Sequence, residues 1–404
     1  MRTVTTKDLI TAIACETSGA NHEDFSSIET DSRKINQKGL FIALKGDQFD
    51  AHDFIAQAFQ NGCRGFVVSQ FKNEWREMLP QASFFKVKDT LKALQDLACY
   101  YRKKSSAMVV GITGSNGKTT SKEFTAAVLS TQFRVHFSKG SFNNHWGVPL
   151  SLLSEPAHTQ VSVIEMGMNH AGEITQLCQI ALPDVVVCSM VGTAHIEFFG
   201  TVEKIAQAKE EIYAASPMNS DRIFNLDNPH TQRMHQKSLQ QRLNKAPITF
   251  SEKISSADIF MQVVQISAEG MLLRGSIART KGEVHVPVFG RQNVTNLMVA
   301  ASVACALGMA PEKIWSSLQN CKSTWGRNQI LKTTRGSVIL FDGYNANPDS
   351  MRALLDNVPL MKNVNCKWAC FAEMLELGDQ SANLHEELGY QAGLADFDGI
   401  WFYG

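Results

Sequence analysis

Two hydrophobic textures alternate along the chain. Short continuous apolar runs, Ala107-Met108-Val109-Val110-Gly111-Ile112-Thr113, Val161-Ser162-Val163-Ile164 and Asp184-Val185-Val186-Val187-Cys188, have strand length and no polar face. That predicts strands buried on both sides, as in a parallel sheet. Helix-like segments separate them, so the stretch from 90 to 322 reads as a doubly wound α/β domain. It opens with a helix whose Leu91, Leu94, Leu97, Ala98 and Tyr101 share one face and whose basic end, Arg102-Lys103-Lys104, suits a C-terminus. From about 259 to 290 the pattern is that of a β-meander, and Asn293 to Leu307 reads as an Ala-rich helix closed by Gly308.

The flanking stretches are smaller. Residues 1–89 alternate apolar runs (Gly39 to Gly46, Arg64 to Val68) with Phe54, Ile55, Ala58 and Phe59 at helical spacing, which predicts a small α/β domain. Residues 323–404 predict a strand at Ser337–Phe341, a helix around Ser350–Leu355 and strands near Trp368–Phe371 and Ile400–Tyr403. A doubly wound unit ending on a strand so soon reads as incomplete.

Composition removes several function classes. The 404 residues are 44% hydrophobic and 19% charged, ordinary values for a globular protein. Lys plus Arg (39) equals Asp plus Glu (39), so there is no basic excess to hold nucleic acid. The N-terminus, Met1-Arg2-Thr3-Val4-Thr5-Thr6-Lys7-Asp8, carries no apolar run that would make a signal peptide. No apolar stretch approaches the ~18 residues of a membrane span, so no membrane insertion is expected. Nine scattered cysteines without a C-x-x-C pair read as reduced thiols of a cytoplasmic protein.

The strongest chemical signal is Gly111-Ile112-Thr113-Gly114-Ser115-Asn116-Gly117-Lys118-Thr119-Thr120, between a strand and a helix. Glycines let backbone N–H groups turn inward around phosphate oxygens, and the helix N-terminus adds positive potential. Lys118 would reach the outer phosphates of a nucleoside triphosphate, and the Thr119 hydroxyl would meet Mg²⁺. The strict G-x-x-x-x-G-K-[ST] spacing is not met, because Ile112 stands at the first glycine. Glu165 ends the next apolar strand, where α/β sheets place ligands, although a solvated strand-end Glu would look the same. His195 follows another apolar strand and is open to a structural or a ligating role. Lys209 lies on an amphipathic segment, where a solvated lysine is the ordinary reading.

These residues together resemble the Mur ligase family, which builds the peptide of bacterial peptidoglycan. The loop Gly111–Thr119 resembles that family's phosphate loop, with the same departure from the strict pattern. The segments 140–150 (Gly140-Ser141-Phe142-Asn143-Asn144), 165–174 (Glu165-Met166-Gly167-Met168-Asn169-His170), 344–351 (Tyr344-Asn345-Ala346-Asn347-Pro348) and 373–378 (Glu373-Met374-Leu375-Glu376-Leu377-Gly378) are similar to the members that join D-alanyl-D-alanine to UDP-N-acetylmuramoyl-tripeptide.

The resemblance implies three domains: a UDP-binding α/β domain (1–89), a central ATP-binding domain (90–322) and a Rossmann-like third domain (323–404). It implies ATP on Gly114, Ser115, Asn116, Gly117, Lys118, Thr119 and Thr120, with Asn296 at the adenine and Arg327 and Asp342 closing over the γ-phosphate and ribose. Thr119 and Glu165 would hold one Mg²⁺ and His195 a second, assisted by Lys209 carbamylated with CO₂. The substrate would lie on Asp31, Ser32, Arg33 and Lys45 at its UDP end, although Asp-Ser-Arg alone could equally be a salt-bridged turn. Asn143, Asn144, Tyr344, Asn345 and Asn347 would serve the muramoyl-peptide and its acceptor. A monomer is expected.

The sequence departs from the family pattern at Gly343 (usually Ser), Gln292 (usually His) and Phe371-Ala372-Glu373-Met374 (usually Leu-Gly-Asp-Met). Family members also continue beyond the equivalent of Gly404, including a Lys-Gly-Ser segment. The main expectation is an ATP-dependent, ADP-forming amide ligase. The alternative is a non-catalytic nucleotide or UDP-muramoyl-peptide binder with an incomplete third domain.

Overall fold

A computed structural model of the chain describes residues 3–404 apart from 23, 47, 242–243, 268 and 362–364. Met1 and Arg2, which open the stretch read for a leader, lie outside the described residues.

The N-terminal region is built on a five-stranded sheet of β1 (Glu16–Gly19), β2 (Ile28–Glu29), β3 (Leu40–Ile42), β4 (Gly65–Val68) and β5 (Ser83–Lys86), ordered β1-β5-β4-β3-β2. Only β1 runs antiparallel to its neighbour. Helix α1 (Thr90–Lys104) then joins this region to the middle of the molecule. Asp89 starts it by accepting from Leu91 N and Lys92 N, at 2.8 and 3.0 Å. At the other end Arg102 donates through Nη2 to Asp184 Oδ2 at 2.7 Å. Leu94, Leu97 and Ala98 of α1 belong to one continuous core with Leu9, Phe25 and Val67 on one side and Val109, Ile164 and Val186 on the other. The first two regions are therefore packed as one body, without a linker.

The central sheet contains β6 (Met108–Thr113), β7 (Val135–Phe137), β8 (Val161–Glu165), β9 (Val185–Cys188), β10 (Asp221–Asn225), β11 (Ile248–Ser251), β12 (Ile259–Ser267), β13 (Gly270–Ile277) and β14 (Thr280–Val286). Its order is β14-β13-β12-β11-β10-β9-β6-β8-β7. The pairs from β7 to β12 are parallel and the last two are antiparallel. The meander thus prolongs the parallel sheet as its antiparallel edge and is not a separate layer.

Alternation along the strands explains the two covered faces. Val110, Ile112, Val163 and Val187 point to helices α2 (Lys118–Leu129) and, later in the chain, α6 (Asn293–Ala306). Val109, Ile164 and Val186 point the other way, to α1, α3 (Gly147–Leu153), α4 (Glu173–Ala181) and α5 (Val202–Ala214). Because β8 and β9 flank β6 on opposite sides, the order reverses at β6, and a crevice opens at its C-terminal end.

The third region pairs β15 (Gln329–Lys332) with β16 (Val338–Phe341) in a hairpin. Helix α7 (Pro348–Leu355) follows, then β17 (Trp368–Ala372), α8 (Ser381–Leu394) and β18 (Gly399–Tyr403), with β17 and β18 parallel. Met351, Leu355, Phe371, Leu388 and Ala392 form its small core. Among the described residues no helix is long and apolar enough to cross a membrane.

Candidate active site

Four loops of the central sheet meet two segments of the third region at the crevice: the glycine-rich loop after β6, residues 139–144 after β7 and the loops after β8 and β9 face the segments around Tyr344 and Glu376. They enclose a cleft of about 360 Å³.

The glycine-rich loop is tied down from below and from the side. At Gly117 φ is +79°, and a Cβ there would fall 2.2 Å from Asn296 Oδ1, so only glycine lets α6 approach. Asn296 is held in turn by Ser121 Oγ, which donates to its Oδ1 at 2.9 Å, and by its own Nδ2 donating to Asn293 Oδ1 at 3.0 Å. Sideways, Ser189 Oγ donates to Asn116 O (2.8 Å) and Gly192 N donates to Ser115 Oγ (2.8 Å). Lys118 folds back, its Nζ donating to Gly114 O at 2.8 Å. Burial lowers its pKa, with Glu165 opposing that shift.

Glu165 is 1% exposed. Its Oε1 accepts from Asn143 Nδ2 at 2.7 Å, while Oε2 is buried without a hydrogen-bond partner, 4.0 Å from Lys122 Nζ. Lys122, also fully buried, donates to Ser138 O and Gly140 O at 2.6 and 2.5 Å and so fixes the 139–144 loop. Thr119 Oγ1 accepts from Arg327 Nη2 (3.1 Å) and lies 3.2 Å from Ser141 Oγ. Arg327 is stacked 4.3 Å over the Tyr344 ring, whose hydroxyl donates to Ser141 Oγ at 3.0 Å.

Lys209 is fully buried on α5, and its Nζ has no hydrogen-bond partner. Burial, with Lys118 as the next cause, pulls its pKa down to about 7. His195 lines the cleft with a left-handed φ of +68°. Glu376 Oε2 reaches within 2.8 Å of its Nδ1, off the direction of a good hydrogen bond. His195 is the main cause holding the Glu376 carboxyl below its usual range.

Among the described residues no three His, Cys, Asp or Glu gather as a metal cluster. The oxygen set suits Mg²⁺ nonetheless, because that ion is commonly held by one or two carboxylates together with substrate phosphates and water. The unpartnered Glu165 Oε2 and the Thr119 hydroxyl provide such a set.

Of the residues expected at the nucleotide, Ser115, Asn116, Gly117, Lys118, Thr119 and Arg327 line the cleft, and Gly114 and Thr120 flank them. Asp342 faces Asn328 instead, accepting from its N and Nδ2 at 3.0 and 3.2 Å. Asn143, Tyr344, Asn345 and Asn347 also line the cleft. Asn144 stands apart from them, its Oδ1 accepting from Gly147 N at 2.9 Å as α3 begins. The N-terminal motif is separate from the cleft: Asp31 accepts twice from Arg33 at 2.9 Å, Ser32 Oγ donates to Gln57 Oε1 at 2.9 Å, and Lys45 lies 4.0 Å from Asp50. Lys139 acts electrostatically on the nearby Glu29, which connects this region to the loop carrying Asn143.

Sequence reasoning missed Ser141, Lys122 and Glu376 as site residues. Ser141 and Glu376 sit inside quoted segments but have no chemical spacing of their own. A helical plot would have placed Lys209 on the apolar stripe of Ile205, Ala208 and Ile212.

Comparison with known proteins matches this architecture. A UDP-N-acetylmuramoyl-tripeptide–D-alanyl-D-alanine ligase of Bacillus subtilis (strain 168) is 36% identical over 381 residues, covering 93% of this chain and 79% of the relative. The chain belongs to the Mur ligase family. Family models agree region by region: "Mur ligase family, catalytic domain" matches residues 24–102, "Mur ligase middle domain" 112–304 and "Mur ligase, glutamate ligase domain" 326–404. An Escherichia coli (strain K12) ligase of the same name is 32% identical, covering 100% of this chain and 86% of its own length. Among solved structures, MurF from Acinetobacter baumannii superposes with a TM-score of 0.91 at 29% identity, over 100% of this chain and 86% of that one. MurF from Thermotoga maritima in complex with ADP gives 0.81 at 27% identity, over 93% and 84%.

Proposed function

We propose that this protein is an ATP-dependent ligase that joins D-alanyl-D-alanine to UDP-N-acetylmuramoyl-tripeptide in peptidoglycan precursor synthesis. The observation that carries this reading is one cleft holding a phosphate loop and a buried carboxylate oxygen without a partner, faced by a third region that brings its own arginine. Residues 1–89 would hold the UDP end of the substrate, 90–322 the nucleotide and 323–404 the acceptor. That both substrates and ATP are soluble supports a reaction in the cytoplasm.

In the reaction the tripeptide's terminal carboxylate attacks the γ-phosphorus of ATP, and ADP leaves as an acyl phosphate forms. The amine of D-alanyl-D-alanine then attacks the acyl carbon, phosphate leaves, and the amine's proton passes to solvent. A carboxylate is a poor electrophile, and phosphorylation supplies its leaving group. The chain contributes position and charge. Backbone N–H groups of 115–119 cradle phosphate oxygens, Lys118 swings from Gly114 O toward them, and Arg327 leaves Thr119 to meet the γ-phosphate. Mg²⁺ on Thr119 and Glu165, with a second ion on His195, would neutralise phosphate charge.

Lys209 fits carbamylation. With a pKa of about 7, roughly half of its side chains are neutral at pH 7, against about one in 2,500 for an ordinary lysine. The neutral amine bonds to the carbon of CO₂ and loses one proton, turning an unpartnered buried cation into an anion. A ¹³C carbamate signal in protein equilibrated with labelled bicarbonate, absent in Lys209→Met, is the expected result.

The decisive assay is phosphate release from ATP, Mg²⁺ and UDP-N-acetylmuramoyl-tripeptide. Release dependent on D-alanyl-D-alanine supports the reading, whereas ATP binding without such release would refute it in favour of a non-catalytic binder.

A further inference from the structure

The loop after β9 runs Met190-Val191-Gly192-Thr193-Ala194-His195, and the third region grips it. Asp349, in the first turn of α7, accepts through Oδ2 from Thr193 N at 2.7 Å and from Thr193 Oγ1 at 2.9 Å. Its other oxygen faces Arg352 at 3.9 Å. This approach needs the glycine before Thr193, because a Cβ on Gly192 would fall 2.3 Å from Asp349 Oδ2. Two residues earlier, Asn347 pairs with Asn116 of the phosphate loop in both directions, at 2.6 and 3.2 Å. The same Asn347 caps α7 by accepting from Ser350 N at 3.0 Å. The contact therefore rests on a rigid helix end and touches two loops of the cleft at once.

What it holds is a strained turn. His195 has φ +68°, and Ile196 N donates to Thr193 O at 3.1 Å to close the bend. A left-handed backbone on such a residue persists only where its surroundings impose it. Glu376 of the third region, itself at φ +61°, stands 2.8 Å from the imidazole Nδ1.

We propose that Asp349 is a positioning residue: by docking on Thr193 it holds the 192–195 loop in the shape that presents His195 to the cleft. Beside the Asn347–Asn116 pair and the Arg327–Thr119 bond, this contact then joins the half of the site that carries the nucleotide to the half that receives the acceptor, and it is the one that sets the 192–195 loop. A carboxylate is suited to this, since one oxygen takes both donors with charge assistance. The inference rests on the ligase reading for its kinetic readout but not for its spectroscopic one.

The test uses the full chain with Asp349→Ala, Asp349→Asn, Gly192→Ala and the double variant Gly192→Ala/Asp349→Ala. In metal-free protein, NMR should show the Thr193 amide resonance displaced in Asp349→Ala and restored in Asp349→Asn, which keeps an acceptor. With a non-hydrolysable ATP analogue present, Mn²⁺ titrated by electron paramagnetic resonance should bind roughly 10- to 100-fold more weakly in Asp349→Ala. The analogue's own affinity measured without metal should stay unchanged, and kcat/KM for D-alanyl-D-alanine should fall in parallel with Mn²⁺ binding. Gly192→Ala should reproduce these losses, and the double variant should be no worse than either single one. A wild-type Thr193 resonance in Asp349→Ala, or losses that simply add in the double variant, would overturn the proposal. If Asp349→Ala fails to fold, Gly192→Ala and Asp349→Asn carry the same comparison. Wild-type protein without acceptor-dependent turnover would instead refute the ligase reading and leave the amide result standing.

Discussion

Asp31 and Glu165 are both carboxylates beside a cation, and they occupy opposite environments. Asp31 is matched by the Arg33 guanidinium through two bonds on an exposed turn, and chiefly that neighbour pulls its carboxyl down to about 2. Glu165 is sealed at the end of a central strand, with one oxygen on Asn143 and the other without a hydrogen-bond partner. A satisfied exposed pair stabilises little and can open to a ligand at small cost. An unsatisfied buried oxygen is expensive in the absence of a ligand, which makes the site poised for a cation. On the proposed reading the two regions would divide the work, the N-terminal turn recognising the substrate reversibly and the phosphate cleft holding unsatisfied charge for chemistry.

The largest expected break in that contrast is Lys118→Ala. Electrostatic contacts to a developing charge are typically worth on the order of 10²–10³ in rate. Acceptor-dependent phosphate release should fall by at least that much while the thermal unfolding midpoint holds, since Lys118 lines the cleft and donates to carbonyls of its own loop, Gly114 O and Ser115 O. A variant with wild-type turnover would remove the phosphate loop from the mechanism.

Lys209→Met comes next and should move activity and stability in opposite directions. The folded pKa is about 7 against the 10.5 of an ordinary lysine, so between those limits the unfolded chain binds more protons. Stability of CO₂-free protein therefore rises with pH across that window and loses this contribution as pH falls toward 7. From pH 7 to pH 9 the gain should be about 2 kcal/mol for wild type relative to Lys209→Met. Urea unfolding at the two pH values measures it, and parallel curves would show that Lys209 is not buried as a free amine.

The smallest effect belongs to the exposed turn. Arg33→Ala should leave stability nearly unchanged and raise KM for UDP-N-acetylmuramoyl-tripeptide several-fold at constant kcat. Steady-state kinetics beside a thermal melt separates the two quantities. A fall of several degrees in the midpoint would mean that the turn is structural.

How far these features could be read in advance follows their range along the chain. Local signals were clear: the apolar runs of β6, β8 and β9, the basic end of α1, and the loop from Gly111 to Thr120. The hairpin strand Gln329–Lys332 and helix α8 went unread. The meander was recognised but not its place, because hydrogen bonding to β11 is a matter of sheet order rather than of composition.

Sequence by itself therefore determined the strand and helix periodicity, the phosphate loop and the family resemblance, because each is written in neighbouring residues. Tertiary structure decided that Lys209 lies in the interior instead of in water, that Asn143 reaches Glu165, that Asp342 turns to Asn328, and that Asp349 meets Thr193. Those are outcomes of burial and of contact between distant segments. Their free energy depends on what the rest of the chain packs against them, which no local window contains.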